Sequence, residues 1–192
     1  MTRPFRVSVG TRTDVFLIRN FLSPDECARL IRASEEKGYE EAAISTPLGQ
    51  VVAKEVRNND RILWDDKVLA AEWWERCKEF VPSSFGNWQA YGVNERFRFY
   101  RYKPGQTFKK HQDGSHRRSK GDESWWTLMV YLNTEFDGGR TRFWFAGDNE
   151  ETSVNPETGT ALLFMHERTH EGEVVTAGIK YVLRTDVMYR KV

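Results

Sequence analysis

The chain has 192 residues, a nearly balanced charge of 29 Lys+Arg against 28 Asp+Glu, and 14% aromatic residues. That length is most simply one domain, 1–192, able to bury a real core, and the charge balance excludes a global basic field for nucleic acid. No apolar run approaches the roughly 20 residues of a membrane helix. The first residues lack the apolar stretch of a secretory signal, and Cys27 and Cys77 stand outside any paired motif. The expectation is a cytoplasmic protein with reduced thiols and no membrane or nucleic-acid partner.

Residues 7–19 alternate loosely and read as a first strand centred on Val15-Phe16-Leu17-Ile18. A helix start follows, with Ser23 as N-cap, Pro24 in the first turn and Asp25 and Glu26 after it. Cys27, Leu30, Ile31 and Ser34 fall at helical spacing, which predicts a helix to about Lys37, stopped by Gly38. Residues 42–60 read as two weak strands around Thr46-Pro47-Leu48-Gly49, whose Gly and Pro would allow a lid. A second helix is expected from about Asp66 to Phe80, with Leu69, Trp73, Cys77 and Phe80 on one face.

The texture changes near residue 94. Short runs rich in aromatic and β-branched residues follow: 96–102, 125–132, 141–145, 160–165, 173–176 and 181–189. Gly138-Gly139, Gly147-Asp148-Asn149 and Gly178 punctuate them. No helix pattern intervenes, so the fold class is mainly β with supporting α. A closed or sandwiched antiparallel barrel over 94–192 would be braced by a support region, 1–93, that carries the helices.

The chemistry concentrates after the 96–102 run. His111-Gln112-Asp113 holds two ligand-type side chains two residues apart, which point the same way from a strand. One more histidine would complete a 2-His-1-carboxylate triad, which suits non-haem Fe(II) and leaves three positions open. Downstream, His166-Glu167-Arg168-Thr169-His170 reads literally as H-E-x-x-H, the signature of a zinc metallopeptidase. That reading needs a helix. The motif instead follows the strand-like Thr160–Phe164 and precedes Gly172, Val174-Val175-Thr176 and Gly178, which are poor helix formers.

Residues 94–190 resemble the double-stranded β-helix (jelly-roll, cupin-like) core of Fe(II)/2-oxoglutarate-dependent oxygenases, in their prolyl 4-hydroxylase-like branch. Arg101-Tyr102-Lys103-Pro104-Gly105-Gln106 leading into His111-x-Asp113 is similar to that family's first metal segment. Thr127-Leu128-Met129-Val130-Tyr131-Leu132-Asn133 and Gly138-Gly139-Arg140-Thr141-Arg142-Phe143 resemble its next strand pair. Pro156 and Gly159–Phe164 look like the strand before the second metal histidine, and Lys180 follows His170 by the family's spacing to its 2-oxoglutarate lysine.

The resemblance implies a dioxygenase that hydroxylates a C–H bond of a peptidyl or free amino acid, proline-like by family, or of another small polar molecule. Its cofactors would be Fe(II), 2-oxoglutarate and O2, with ascorbate as an optional accessory and succinate and CO2 as products. His111, Asp113 and His170 become the metal ligands, with His166 as the substitute for His170. Lys180 would meet the distal carboxylate of 2-oxoglutarate, and an ammonium inside a barrel needs such an anion. The phenols of Tyr102 and Tyr131 would help hold the same co-substrate, and Thr141 would line the same pocket.

Parity adds a departure from the family pattern. If Lys180 points inward, so do Val182, Arg184, Asp186 and Met188; if Tyr102 does, so do Tyr100, Arg98 and Arg96. The family tends to have a tryptophan where this chain has Asp186. Arg184 and Asp186 would form an internal ion pair or meet a polar substrate, or Arg184 would itself anchor 2-oxoglutarate. His116 is expected in a solvated loop. The basic residues Lys109, Lys110, Arg117, Arg118 and Lys120 would steer anions, or be balanced by Asp122 and Glu123. Trp125-Trp126 reads as a strand start against the core or as a substrate wall.

Overall fold

The computed structural model describes residues 3–42, 44–46, 49–51, 55–145 and 151–192. The N-terminal half supplies β1 (Phe5–Ser8), β2 (Val15–Arg19), α1 (Pro24–Lys37), β3 (Glu40–Glu41), β4 (Ile44–Thr46) and β5 (Gly49–Val51). It continues with β6 (Asp60–Asp65), α2 (Lys67–Cys77), β7 (Ser84–Phe85) and β8 (Trp88–Val93). Then come β9 (Arg96–Tyr102), β10 (Phe108–His111), β11 (Arg117–Ser119), β12 (Asp122–Tyr131), β13 (Phe136–Gly138) and β14 (Thr141–Trp144). The chain closes with β15 (Thr152–Val154), β16 (Ala161–Met165), β17 (Thr169–Gly172), β18 (Val175–Gly178) and β19 (Lys180–Lys191).

The strands form a jelly roll. The large sheet runs β1-β2-β16-β12-β19-β9-β6-β3, with β8 taking the place of β9 beside the C-terminal half of β19. The smaller sheet, β10-β17-β14-β15, packs over one face of it. Period-2 alternation then divides the core in two. On β9, Phe97 and Phe99 turn toward the helices and join Phe16, Phe21, Trp73, Cys77, Leu128 and Leu183. Tyr100 and Tyr102 turn the other way and pack with Tyr131, Phe143, Leu162 and Val182 between the sheets.

Both helices begin where their caps dictate. Ser23 Oγ accepts from Glu26 N (3.2 Å), and the Glu26 carboxylate accepts from Ser23 N (2.7 Å), a reciprocal capping box. Gly38, at φ 85°, stops α1. Asp66 caps α2 by accepting from Leu69 N, and that helix ends at Cys77 rather than Phe80.

The expected first strand is a hairpin, β1 against β2, turning through Gly10 at φ 60°. The support region contributes more sheet than expected, because β6 and β8 pair directly with β9 and β19. His116 lies in the 112–116 loop as expected, but half-buried rather than solvated, and β11, which follows it, folds back on β12. The 42–60 expectation holds for β4 and β5, which pair; its turn at 47–48, residues 52–54 and the Gly147-Asp148-Asn149 turn lie outside the described residues. Residues 55–59 are tied down, with Arg57 bridged to Phe108 and Lys109 N donating to Val56 O. Trp126 is fully buried in the helix-side core, and Trp125 stacks on Tyr189 beside it, so the tryptophan pair is core and not a substrate wall.

Candidate metal and co-substrate site

Three donors converge between the sheets. One ligand-type atom each from His111, Asp113 and His170 lies within 4.8 Å of the other two. His111 and His170 stand directly opposite in the β10–β17 ladder, with ring centroids 4.3 Å apart. His111 Nδ1 lies 2.7 Å from Lys109 O, and His170 Nδ1 lies 2.9 Å from Arg168 O. A carbonyl can only accept, so each Nδ1 carries the proton and each Nε2 is left as a lone-pair donor. Burial, ahead of Asp113, which opposes it, and His111, which adds to it, lowers His170 to about 4, so the ring is neutral and able to ligate at ordinary pH.

Asp113 does not sit on the strand as the two-residue spacing implied. β10 ends at His111, and Asp113 is fixed instead by its N–H, which donates to His166 O (3.0 Å). Burial pushes its carboxyl up, but Arg184 beside it, then His170 and His111, more than offset this and hold it well below the usual carboxylate range. Arg184 Nη1 donates to Oδ1 and Thr127 Oγ1 to Oδ2, both at 2.6 Å.

The zinc-peptidase alternative fails on geometry. His166 ends in a turn after β16, His170 is in β17, and no helix joins them. Nor is His166 the substitute ligand. It is buried, with Ser124 Oγ 2.9 Å from Nε2 and Thr127 Oγ1 3.1 Å from Nδ1. It buttresses the Thr127 hydroxyl that holds Asp113.

Lys180 opens β19 with only 3% exposure. Its Nζ donates to Gly139 O (2.6 Å) and lies 5.3 Å from the Tyr102 ring and 5.6 Å from the Tyr131 ring. Burial lowers it to about 7, with Glu173 opposing. No carboxylate lies in ion-pair range of it among the described residues. Gly139 makes this approach possible: its φ is positive, and a Cβ there would come 3.2 Å from Lys180 Cδ. Thr141 lines the pocket, and Tyr131 stands buried behind it, Oη to Oγ1 2.7 Å. Burial raises Tyr102 to about 12, so it stays a neutral phenol.

The parity expectation holds along β19 for Val182, which lines the pocket, and for Arg184 and Asp186. Those two form the ion pair of one alternative, extended by Arg98, whose Nη1 reaches Asp186 Oδ2 at 2.9 Å. Arg184 is thereby committed to Asp113 and Asp186 and not placed as the 2-oxoglutarate anchor. Arg96, the outermost residue of the β9 series, is exposed and pairs with Asp65. In the basic loop, Arg117 pairs with Glu123 and Arg118 with Glu95.

Sequence reasoning missed Thr127, Met129 and Phe108, which also line the site. Parity from Tyr131 could have found the first two. Phe108 had no such signal: it stacks on His111 at 3.5 Å, and β10 was not foreseen.

These residues fit the groups an oxygenase of this kind uses. An imidazole, carboxylate and imidazole donor set matches Fe(II), and a buried ammonium without a carboxylate matches a dicarboxylate co-substrate.

Comparison with known proteins agrees. Residues 97–185 match the 2OG-Fe(II) oxygenase superfamily. A putative prolyl 4-hydroxylase of Acanthamoeba polyphaga mimivirus is 26% identical, over 87% of this chain and 71% of that protein. Prolyl 4-hydroxylase 1 of Arabidopsis thaliana is also 26% identical, over 78% of this chain and 56% of that protein, so this chain spans little more than half of the plant relative. Among solved structures, a viral collagen prolyl hydroxylase of Paramecium Bursaria Chlorella virus-1, in its 2OG complex, matches with TM-score 0.64 and 24% identity, over 97% of this chain and 100% of that one. A prolyl hydroxylase of Trichoplax adhaerens, in complex with a hypoxia inducible factor peptide fragment, matches with TM-score 0.69 and 18% identity, over 91% and 83%. These structural likenesses bear on the fold, the jelly roll described above. Fold, donor set and family match meet on one reading: residues 97–185 match the 2OG-Fe(II) oxygenase superfamily, and the chain is prolyl 4-hydroxylase-like.

Proposed function

We propose that the chain hydroxylates a C–H bond of a peptidyl, proline-like residue, with His111, Asp113 and His170 holding Fe(II). Lys180, Tyr102, Tyr131 and Thr141 hold 2-oxoglutarate. One observation carries the reading: three metal-type donors within 4.8 Å of one another share a pocket with a buried ammonium. The prolyl hydroxylase names of the relatives, and the peptide held by the Trichoplax adhaerens protein, support a peptidyl substrate. The near-balanced charge supports a peptide over nucleic acid.

When bound, Fe(II) and 2-oxoglutarate supply the oxidising chemistry: one oxygen atom of O2 enters succinate as CO2 leaves, and the other enters the substrate as hydroxyl. The chain's own residues do the positioning. His111 and His170 present Nε2 because their Nδ1 protons are held by backbone carbonyls. Arg184 and Thr127 fix the plane of the Asp113 carboxylate. Lys180 neutralises the far carboxylate of the co-substrate, while Phe108, Phe164 and Met129 exclude water from the pocket wall.

Anaerobic titration with Fe(II) and 2-oxoglutarate tests this. A visible metal-to-ligand charge-transfer band is expected when both are present and is expected to be lost in His170→Ala. Glu167→Gln, at an exposed side chain paired with Arg168, is expected to leave 2-oxoglutarate turnover unchanged, whereas Asp113→Ala abolishes it. A folded, metal-loaded protein without the band would sink the reading.

A further inference from the structure

The Tyr100 wall of the pocket is backed by more fixed positive charge than metal and co-substrate binding require. Tyr100 sits on its wall, between β19 and β6. One guanidinium lies over that ring, and two more stand near it along β9 and β19. Arg57, only 4% exposed, lies 4.2 Å over Tyr100 on one side and 4.3 Å over Phe108 on the other. Phe108 in turn stacks on His111, so Arg57 is one ring away from the donor triad. Arg98 stands two residues before Tyr100 on β9, and it faces Arg184 directly across the β9–β19 ladder.

Like charges placed opposite one another in a sheet are destabilising unless an anion bridges them. Asp186 bridges Arg98 and Arg184. Asp113, the other carboxylate here, is a metal donor. Arg57 has no carboxylate partner among the described residues; its Nε donates to Asn59 Oδ1 (2.7 Å), and its Nη2 is buried without an acceptor. Among the described residues, Arg184 Nε is a second buried donor without an acceptor. An orphaned N–H on a charged group costs more than a neutral one, so the fold retains two donors in search of an anion.

The electrostatics point the same way. Burial alone would raise the Tyr100 phenol, yet Arg57, Arg184 and Arg98 together bring it below its ordinary value. Arg61 adds a fourth guanidinium beside Tyr100 on β6, with Glu40 opposite it. Leu63 follows it on the same face and is 43% exposed, so the wall is open to solvent on that side.

We propose that this wall is a carboxylate subsite, centred on Arg57 over Tyr100 with Arg98 and Arg184 adding to its positive field, which selects substrates bearing an acidic group next to the residue that is hydroxylated. The proposal rests on the oxygenase reading above and narrows its substrate to an acidic peptide segment. The carboxylate comes from a Glu or Asp side chain flanking the reacting residue or from a free C-terminus at it.

The test is binding rather than turnover. Blocked prolyl nonapeptides, identical except for Glu, Gln or Lys on both sides of the central proline, are titrated anaerobically into the Fe(II)–2-oxoglutarate complex and followed by displacement of its charge-transfer band. A fourth peptide ends in proline with a free carboxylate. The Glu peptide is expected to bind at least roughly tenfold tighter than the Gln peptide, with the Lys peptide weakest, and the preference should shrink at high salt. In Arg57→Gln the Glu-to-Gln ratio falls toward one. Tighter binding of the free-C-terminus peptide than of the Glu peptide assigns the carboxylate to a chain end. Equal binding of the Glu and Gln peptides, or no binding of any, overturns the subsite while an intact charge-transfer band keeps the oxygenase. If Arg57→Gln weakens 2-oxoglutarate binding and leaves the peptide ratio as it was, the orphaned donors belong to the co-substrate and the proposal fails. Failure of the band itself is failure of the oxygenase reading.

Discussion

A single lysine sets a pH window. Lys180 is brought down to about 7 from its ordinary 10.5 by burial, with no carboxylate at its ammonium among the described residues. Between those values the unfolded chain holds a proton that the folded chain has shed, so Lys180 makes stability rise with pH across that window and contributes its full penalty below it. An anion bound at Nζ restores the ammonium. Binding of 2-oxoglutarate is therefore expected to take up a proton above pH 7 and to weaken by up to about tenfold per pH unit there. Anaerobic calorimetry at pH 6.5 and 8.5, in buffers of different ionisation heat, measures both. Lys180→Met should remove the proton uptake; uptake that survives would place the titrating group elsewhere. The residues that make this pocket were legible unevenly. Lys180, Tyr102, Tyr131 and Thr141 were found through a resemblance. Arg184 and Asp186 were found through parity. Thr127 was missed, because a threonine in a strand carries no mark of the carboxylate it holds.

Elements were legible where one local signal decides them. α1 begins and ends where the sequence places it, because Ser23 and Glu26 satisfy one another's backbone and Gly38 takes a positive φ. Ser23→Ala is expected to cost about 1 kcal/mol in chemical denaturation, with the Fe(II)–2-oxoglutarate band unchanged, because the cap is remote from the pocket. β9 was found whole for a similar reason: seven residues, all aromatic or arginine, permit little else. The short strands were not. β10, β11, β13, β15 and β17 are three or four residues each, and their pairing is decided by partners far along the chain. β17 is the instructive case. Thr169-His170-Glu171-Gly172 has no strand pattern of its own, yet it pairs with β10 on one side and β14 on the other.

At the scale of the whole molecule, the large sheet separates two jobs. Its helix-side face holds a dry core centred on Trp73, which is fully buried with Phe21 and Phe97 edge-on at 5.1 Å. Its other face holds the charged pocket. Trp73→Ala is expected to cost roughly 3–5 kcal/mol in urea denaturation and still to form the charge-transfer band while folded. Loss of the band in the folded variant would show that the two faces are coupled. This division also explains why the 1–93 and 94–192 halves, distinct in sequence texture, are not distinct in space. β6 and β8 pair with β9 and β19, and the helices need the sheet's apolar face as much as it needs them.

The ladder between β10 and β17 gives the donor triad one more property. His111 and His170 are cross-strand partners, and β10 is the outermost strand of the small sheet. A slip of one residue between these strands would turn a histidine away from its counterpart, because side chains alternate at every step. An ion gripped by both rings would then act as a rivet through an edge strand that otherwise rests on few backbone bonds. Capture of the metal and choice of strand alignment would be a single event, with the ion selecting, from the alignments these two short strands sample, the one that builds the pocket.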